Sequence, residues 1–166
     1  MKTAMVAAKA APIPPDKPGQ RALRKGRASI PNQIYLITIV TQDRRPIFSE
    51  WIPACEVARA TINRDVLGQS RFLAWVLMPD HFHGLLQLGE DAPIQDVVRR
   101  FKGNTARNVN HITGQEGALW QPGYHDHALR KEENLRETAR YVVANPLRAG
   151  LVSRLGAYPF WNAEWL

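Results

Sequence analysis

The chain has a single cysteine, Cys55, in 166 residues. That excludes an internal disulfide and any multi-cysteine zinc cage. Cys55 falls in a stretch of helical spacing and reads as a buried structural thiol. Long apolar runs are also missing: none reaches the roughly 18 residues that a membrane-spanning helix needs. The N-terminus lacks the apolar core of a secretory leader, so a cytoplasmic protein is expected. Acidic residues are outnumbered, 15 Asp and Glu against 22 Lys and Arg, for a formal net charge of +7. An excess of this size in a small domain points to a polyanionic partner, and nucleic acid is the first candidate.

What is present suits one domain with a proper core. Residues 1–20 are rich in Ala, Pro and Lys and read as a flexible tail. The domain is expected to span residues 21–166. It begins with a basic arm over residues 21–30, whose Arg24, Lys25 and Arg27 suit a phosphate backbone. Residues Gln33 to Thr41 are rich in β-branched side chains and predict a first strand. Helical spacing follows from Pro53, with Gly68 as its stop. Arg71 to Leu88 reads as a hairpin turning at Pro79-Asp80, where Pro presets φ and Asp bonds its own backbone.

Pro93 opens a second helix with its apolar stripe on Ile94, Val97, Val98, Phe101 and Val109. Arg99, Arg100, Lys102 and Arg107 flank that stripe on the outside and are candidate phosphate contacts. Ala118 to Arg130 reads as extended, broken at Pro122-Gly123. Lys131 to Asn145 is a third helix ending before Pro146, whose ring disfavours helix at the preceding residue. The tail from Leu147 is expected to pack back onto the domain. The order is strand, helix, strand, strand, helix, strand, helix. Its first six elements are the β-α-β-β-α-β unit of ferredoxin-like folds. The predicted class is α+β: an antiparallel sheet with helices on one face and an added C-terminal helix.

Two stretches carry chemistry. In a strand, side chains at i and i+2 share a face, so His81 and His83 project together while Phe82 points away. Two imidazoles side by side on a rigid element are half of a metal site. They are also an ordinary polar pair on a solvated face. A second such pair, His125 and His127, lies beyond the Pro-Gly break and is a rival. On the last helix, Leu135, Ala139 and Val142 form the core stripe, while Tyr141 points away from it with Asn145 one turn on. Read without the histidines, Tyr141 is an amphipathic side chain at the core edge and Asn145 an ordinary helix-ending residue. Read with them, two imidazoles and an amide oxygen can hold a divalent cation with positions open for phosphate oxygens. A tyrosine beside it can act as nucleophile in a phosphodiester transesterification.

Leu77 to His83 resembles the His-hydrophobe-His signature of the HUH endonucleases. Tyr141 to Val152 resembles the tyrosine motif of REP-associated tyrosine transposases, and further likeness runs through Arg24–Thr41, Asp43–Phe48, Leu119–Gly123 and Asp126-His127. The resemblance implies a single-tyrosine transposase domain that cuts and rejoins single-stranded DNA near palindromic hairpins through a 5′-phosphotyrosine. It implies Mg2+ or Mn2+ as cofactor, His81, His83 and Asn145 as its ligands, and Tyr141 as nucleophile; of the rival pair, His127 is a candidate DNA contact or a residue lining the site. Asn145 departs from better-known relatives, which carry a Gln there; Asn is one methylene shorter. A nucleoid-associated monomer or homodimer is the expected form. Two other readings remain open at this point. One is a non-catalytic hairpin DNA- or RNA-binding module, since ferredoxin-like sheets also bind RNA, though no RNP-type aromatic cluster is present. The other is a replication-initiator nickase, disfavoured by the lack of a second nearby tyrosine.

Overall fold

The computed structural model describes residues 29–130 and 133–165. The expected tail over residues 1–20 lies outside them, as do Arg24, Lys25 and Arg27 of the basic arm. Five strands form one antiparallel sheet: β1 Ile34–Val40, β2 Arg71–Met78, β3 His81–Gln87, β4 His125–Ala128 and β5 Trp161–Ala163. Their order is β4-β1-β3-β2-β5. β3 therefore lies between β1 and β2, as a split β-α-β unit requires. The α+β class holds, and β5 is an addition that the sequence pattern did not announce. It pairs Ala163 with Ala74 and Trp161 with Val76, so the C-terminal tail does pack back, as a strand.

The helices are α1 Trp51–Ala60, α2 Arg64–Leu67, α3 Ile94–Thr113, α4 Leu135–Val143 and α5 Asn145–Arg148. The single helix expected up to Gly68 is two. Asn63 interrupts it by accepting a hydrogen bond from the Asp65 amide at 2.9 Å, which caps α2 and favours a fresh start over continuation. Helix α3 runs on to Gly114, whose left-handed φ of 65° ends it. Only His125–Ala128 of the segment Ala118 to Arg130 joins the sheet as a strand. Thr41 and Trp120 make an isolated bridge before the Pro122-Gly123 break.

Strand alternation divides the core in two. On one face Ile37, Ile39, Leu77, Phe82 and Leu86 pack with α1 and α3 through Val57, Val97 and Phe101. On the other, Ala74, Val76, Met78 and Leu85 pack with α4 through Ala139, Val142 and Val143. The added helix thus covers the face that α1 and α3 leave bare. Gly84 lets the β3 backbone sit under the Phe72 ring: a Cβ there would come within 2.8 Å of it.

Helix α4 starts at Leu135, where the Asn134 side chain accepts from the amides of Arg136 and Glu137. It ends at Val143. Pro146 has no N–H to give the Val142 carbonyl, so α4 cannot run through it. The Asn145 Nδ2 donates to that carbonyl instead, at 3.0 Å, and α5 begins. Asn145 therefore opens a separate turn and is not the last residue of the tyrosine helix.

Candidate active site

The two histidines stand where the β2–β3 hairpin turns, on the sheet face that α4 covers. Loop contacts hold the turn. The Thr41 amide and hydroxyl both donate to the Asp80 carbonyl at 2.9 Å, and the Phe48 amide donates to the Pro79 carbonyl at 3.0 Å. The imidazole centroids are 5.1 Å apart and the rings nearly perpendicular, at 80°. Each ring is fixed through Nδ1. His81 Nδ1 lies 2.6 Å from Asp80 Oδ1, and His83 Nδ1 lies 3.0 Å from Thr38 Oγ1. Arg44 Nη1 in turn donates to Asp80 Oδ2 at 3.0 Å. Anchoring at Nδ1 leaves Nε2 on both rings as the nitrogen for a cation, and carboxylate or hydroxyl support of this kind is what metal-binding imidazoles ordinarily have.

Arg44 reaches Asp80 from a strained loop. Asp43 and Arg44 both adopt left-handed backbone, at φ 55° and 51°. Non-glycine residues held there cluster at functional sites. Burial raises the Asp80 carboxyl, but the hydrogen bond and charge of His81, together with Arg44, outweigh it and hold the group below its ordinary value.

Burial pushes the His83 imidazole down to about 3, with the charges of His81, Arg148 and His125 acting the same way. His83 is therefore neutral at neutral pH, the form a metal needs. The unfolded chain takes up a proton at this residue near its ordinary value of about 6.5, whereas the folded chain does not. Stability of the metal-free protein should thus be intact above that pH and fall as pH drops below it. Urea unfolding at pH 7 and pH 5 checks this: the wild type should lose stability between the two, and His83→Gln should lose distinctly less.

Tyr141 projects from α4 with 59% of its surface exposed. Asn145 is buried, its Nδ2 on the Val142 carbonyl and its Oδ1 accepting from Arg148 Nη2 at 3.0 Å. The Arg148 guanidinium lies over the Tyr141 ring, 3.9 Å from its centroid, and its charge reaches His83. The histidine and tyrosine segments, some 60 residues apart in sequence, are thus linked by the charge of Arg148. Two imidazoles with Nδ1 secured, and the Asn145 amide oxygen, fit a divalent cation as a donor set. Among the described residues no group of three or more His, Cys, Asp or Glu gathers, so the protein's share would be these nitrogens and oxygen.

The rival histidines separate. His125 lies in a row with Thr38 and His83 across three strands and touches His83 electrostatically. His127 is exposed at the sheet edge, with Nε2 at 3.0 Å from Glu133 Oε1. The basic residues of α3 are not brought to the imidazoles. Their helix packs on the opposite face of the sheet. Arg99 pairs with Asp96 at 3.1 Å, Arg100 lies 3.9 Å from Asp91, and Arg107 is exposed. Lys102 donates to the carbonyls of Gln121 and Gly123, both at 2.7 Å, and so ties down the Pro122-Gly123 loop. The site's own cations are Arg44 and Arg148, neither assigned a role from sequence. Thr38 was missed as well, because its partnership with His83 depends on strand register.

The model of the family described as IS200-like transposases matches residues 29–145, a span holding His81, His83, Tyr141 and Asn145. The REP-associated tyrosine transposase of Escherichia coli K12 is 31% identical over 88 residues, 52% of this chain and 50% of that protein. The chain thus spans about half the length of that relative. A putative REP-associated tyrosine transposase of Haemophilus influenzae is 25% identical over 138 residues, 76% of this chain and 77% of the relative. Among solved structures, a REP-associated tyrosine transposase bound to a REP hairpin superposes with a TM-score of 0.64 at 22% identity, covering 82% of this chain and 79% of the other. A putative transposase from Deinococcus radiodurans R1 gives 0.50 at 24% identity, covering 74% and 96%. At these identities the two structures speak for the fold. The family match, which runs through β1 to β4, both histidines and the tyrosine helix, carries the assignment: this chain belongs to the IS200-like transposase family.

Proposed function

We propose that the protein is a single-tyrosine nicking and joining enzyme acting on single-stranded DNA beside a hairpin. The observation that carries this reading is the exposed phenol of Tyr141 under the Arg148 guanidinium, whose charge reaches the neutral imidazole of His83 beside His81. Tyr141 Oη attacks the phosphorus of a phosphodiester. The bond to the 3′-oxygen breaks, the 5′-phosphate stays on tyrosine as an ester, and the phenol proton is matched by the one the released 3′-hydroxyl gains. No water is consumed, so another 3′-hydroxyl can reverse the step. His81 and His83 would hold Mg2+ or Mn2+ through Nε2, with Asn145 Oδ1 as the third protein donor. When bound, the cation supplies Lewis-acid stabilisation of the charge on the phosphate.

Asp80 and Thr38 keep both rings in the orientation this needs. The excess of basic residues supports a nucleic-acid partner, and the relative solved with a REP hairpin supports a hairpin as the form of DNA. Contacts from the basic arm and from Arg99, Arg100 and Arg107 would belong to DNA that extends beyond the site. The test is incubation with single-stranded hairpin oligonucleotides from the chain's own genomic neighbourhood, with Mg2+, followed by denaturation. A protein–DNA adduct is expected, with hairpin bound more tightly than duplex of the same sequence and affinity falling steeply with salt. Equal affinity for hairpin and duplex with no adduct would move the binding-module reading ahead.

A further inference from the structure

Arg148 has no part in the chemistry above, yet it contacts both Tyr141 and Asn145, and its charge reaches His83. It lies seven residues after Tyr141, at the end of α5, and folds back. Nη1 donates to the Tyr141 carbonyl at 2.7 Å and Nη2 to Asn145 Oδ1 at 3.0 Å, with the guanidinium over the phenol ring at 3.9 Å. The residue is exposed, so burial does not force this arrangement. The bonds themselves hold the side chain there.

Two consequences follow from charge and geometry. Asn145 Oδ1, the oxygen offered to a divalent cation, is already bonded to a cation. A guanidinium on that oxygen and a metal ion on the same oxygen repel each other, so metal capture and the Arg148–Asn145 bond compete. Nδ2 of Asn145 is fixed on the Val142 carbonyl, so the amide cannot rotate to escape the competition. A guanidinium released from Asn145 stays tethered above the ring. Its planar fork matches two oxygens of a phosphate, and any phosphate brought to Tyr141 Oη comes within its reach.

We propose that Arg148 is a positioning residue that exchanges partners. It holds Tyr141 and Asn145 while no DNA is bound, and passes from the Asn145 oxygen to the scissile phosphate when Asn145 takes the cation. This rests on Tyr141 as nucleophile and Asn145 as cation ligand.

The test uses the full chain with Arg148→Met, Arg148→Lys and, as a control, His81→Ala. Mn2+ is titrated into DNA-free protein by calorimetry. Arg148→Met should bind Mn2+ several-fold more tightly than wild type, a gain that loss of a merely structural contact would not give. Adduct formation at saturating hairpin and Mn2+ should nevertheless slow, on the order of 10- to 100-fold, the scale of a misplaced reacting group. Arg148→Lys, which keeps charge without the fork, should recover part of that rate. Unchanged or weaker Mn2+ binding by Arg148→Met, or an unchanged adduct rate, would overturn the proposal while the metal site stood. Mn2+ binding that survives His81→Ala intact would instead strike at the metal site itself, and the exchange would fall with it.

Discussion

Tyr141→Phe should abolish both strand cleavage and the denaturation-resistant adduct, while hairpin affinity stays within a few-fold of wild type. The substitution removes one oxygen and keeps the ring. Tyr141 is exposed, and its contact with Arg148 is through the ring face and the main-chain carbonyl, neither of which depends on the hydroxyl. The buried side of α4 is Ala139, Val142 and Val143, so the fold is untouched. No other tyrosine stands ready to substitute. Tyr35 is buried in the sheet against α3, and Tyr158 Oη donates to the Leu77 carbonyl at 2.6 Å. Tyr124 packs against the α1/α3 side of the core, across the sheet from the imidazoles. Denaturing gels of labelled hairpin with wild type and variant give the answer directly. An adduct that persists in Tyr141→Phe places the nucleophile elsewhere and removes the chemical meaning of α4.

His81→Ala should abolish cleavage as completely, by a different route. Its Nδ1 is engaged by Asp80, so the loss falls on Nε2 and on the cation it would hold. Supporting groups around a metal are each worth roughly 10- to 100-fold in metal affinity or activity, and a direct ligand is worth more. The fold should survive. Asp80 keeps Arg44 at 3.0 Å, so no buried carboxylate is left without a partner. Hairpin binding should also survive, because on the proposed reading most phosphate contacts lie away from the turn. Thermal melting, Mn2+ titration and cleavage assays on one preparation separate these effects. His125→Ala is the comparison, because His125 shares the sheet face with His83. If cleavage vanished in His125→Ala and persisted in His81→Ala, the working pair would be the other one.

Much of this was legible in the sequence, for reasons that mark where legibility ends. The i, i+2 spacing places His81 and His83 on one face wherever a strand forms, and the apolar run with its Pro79-Asp80 turn makes the strand secure. Asp80 as the support of His81 is an adjacent residue. Thr38 is 45 positions from His83 and meets it only because β1 pairs with β3 in one register out of several. The basic residues of α3 show the same limit. Helical spacing tells which side of a helix faces the core, but not which face of the sheet that helix covers. Here α3 and α4 take opposite faces. Trp161–Ala163 carries no periodicity of its own and is a strand only because β2 offers an unpaired edge. Arg148 folds back because Pro146 stops α4 and starts a second turn, a change of direction that a continuous helical reading does not contain.

The division of the core into two clusters also bears on motion. The layer under α4 is the smaller, and few side chains belong to both; Tyr158, which packs against each, is one that rivets them. Cooperative opening of a protein follows such units, and the less extensively packed unit opens at lower free energy. Helix α4, which carries Tyr141, is therefore the element expected to open at lower free energy, with the strands that bear the imidazoles still paired. On the proposed chemistry, a strand end esterified to that tyrosine would then move with α4, leaving the scissile position and returning to it while the paired strands stood as a stationary frame.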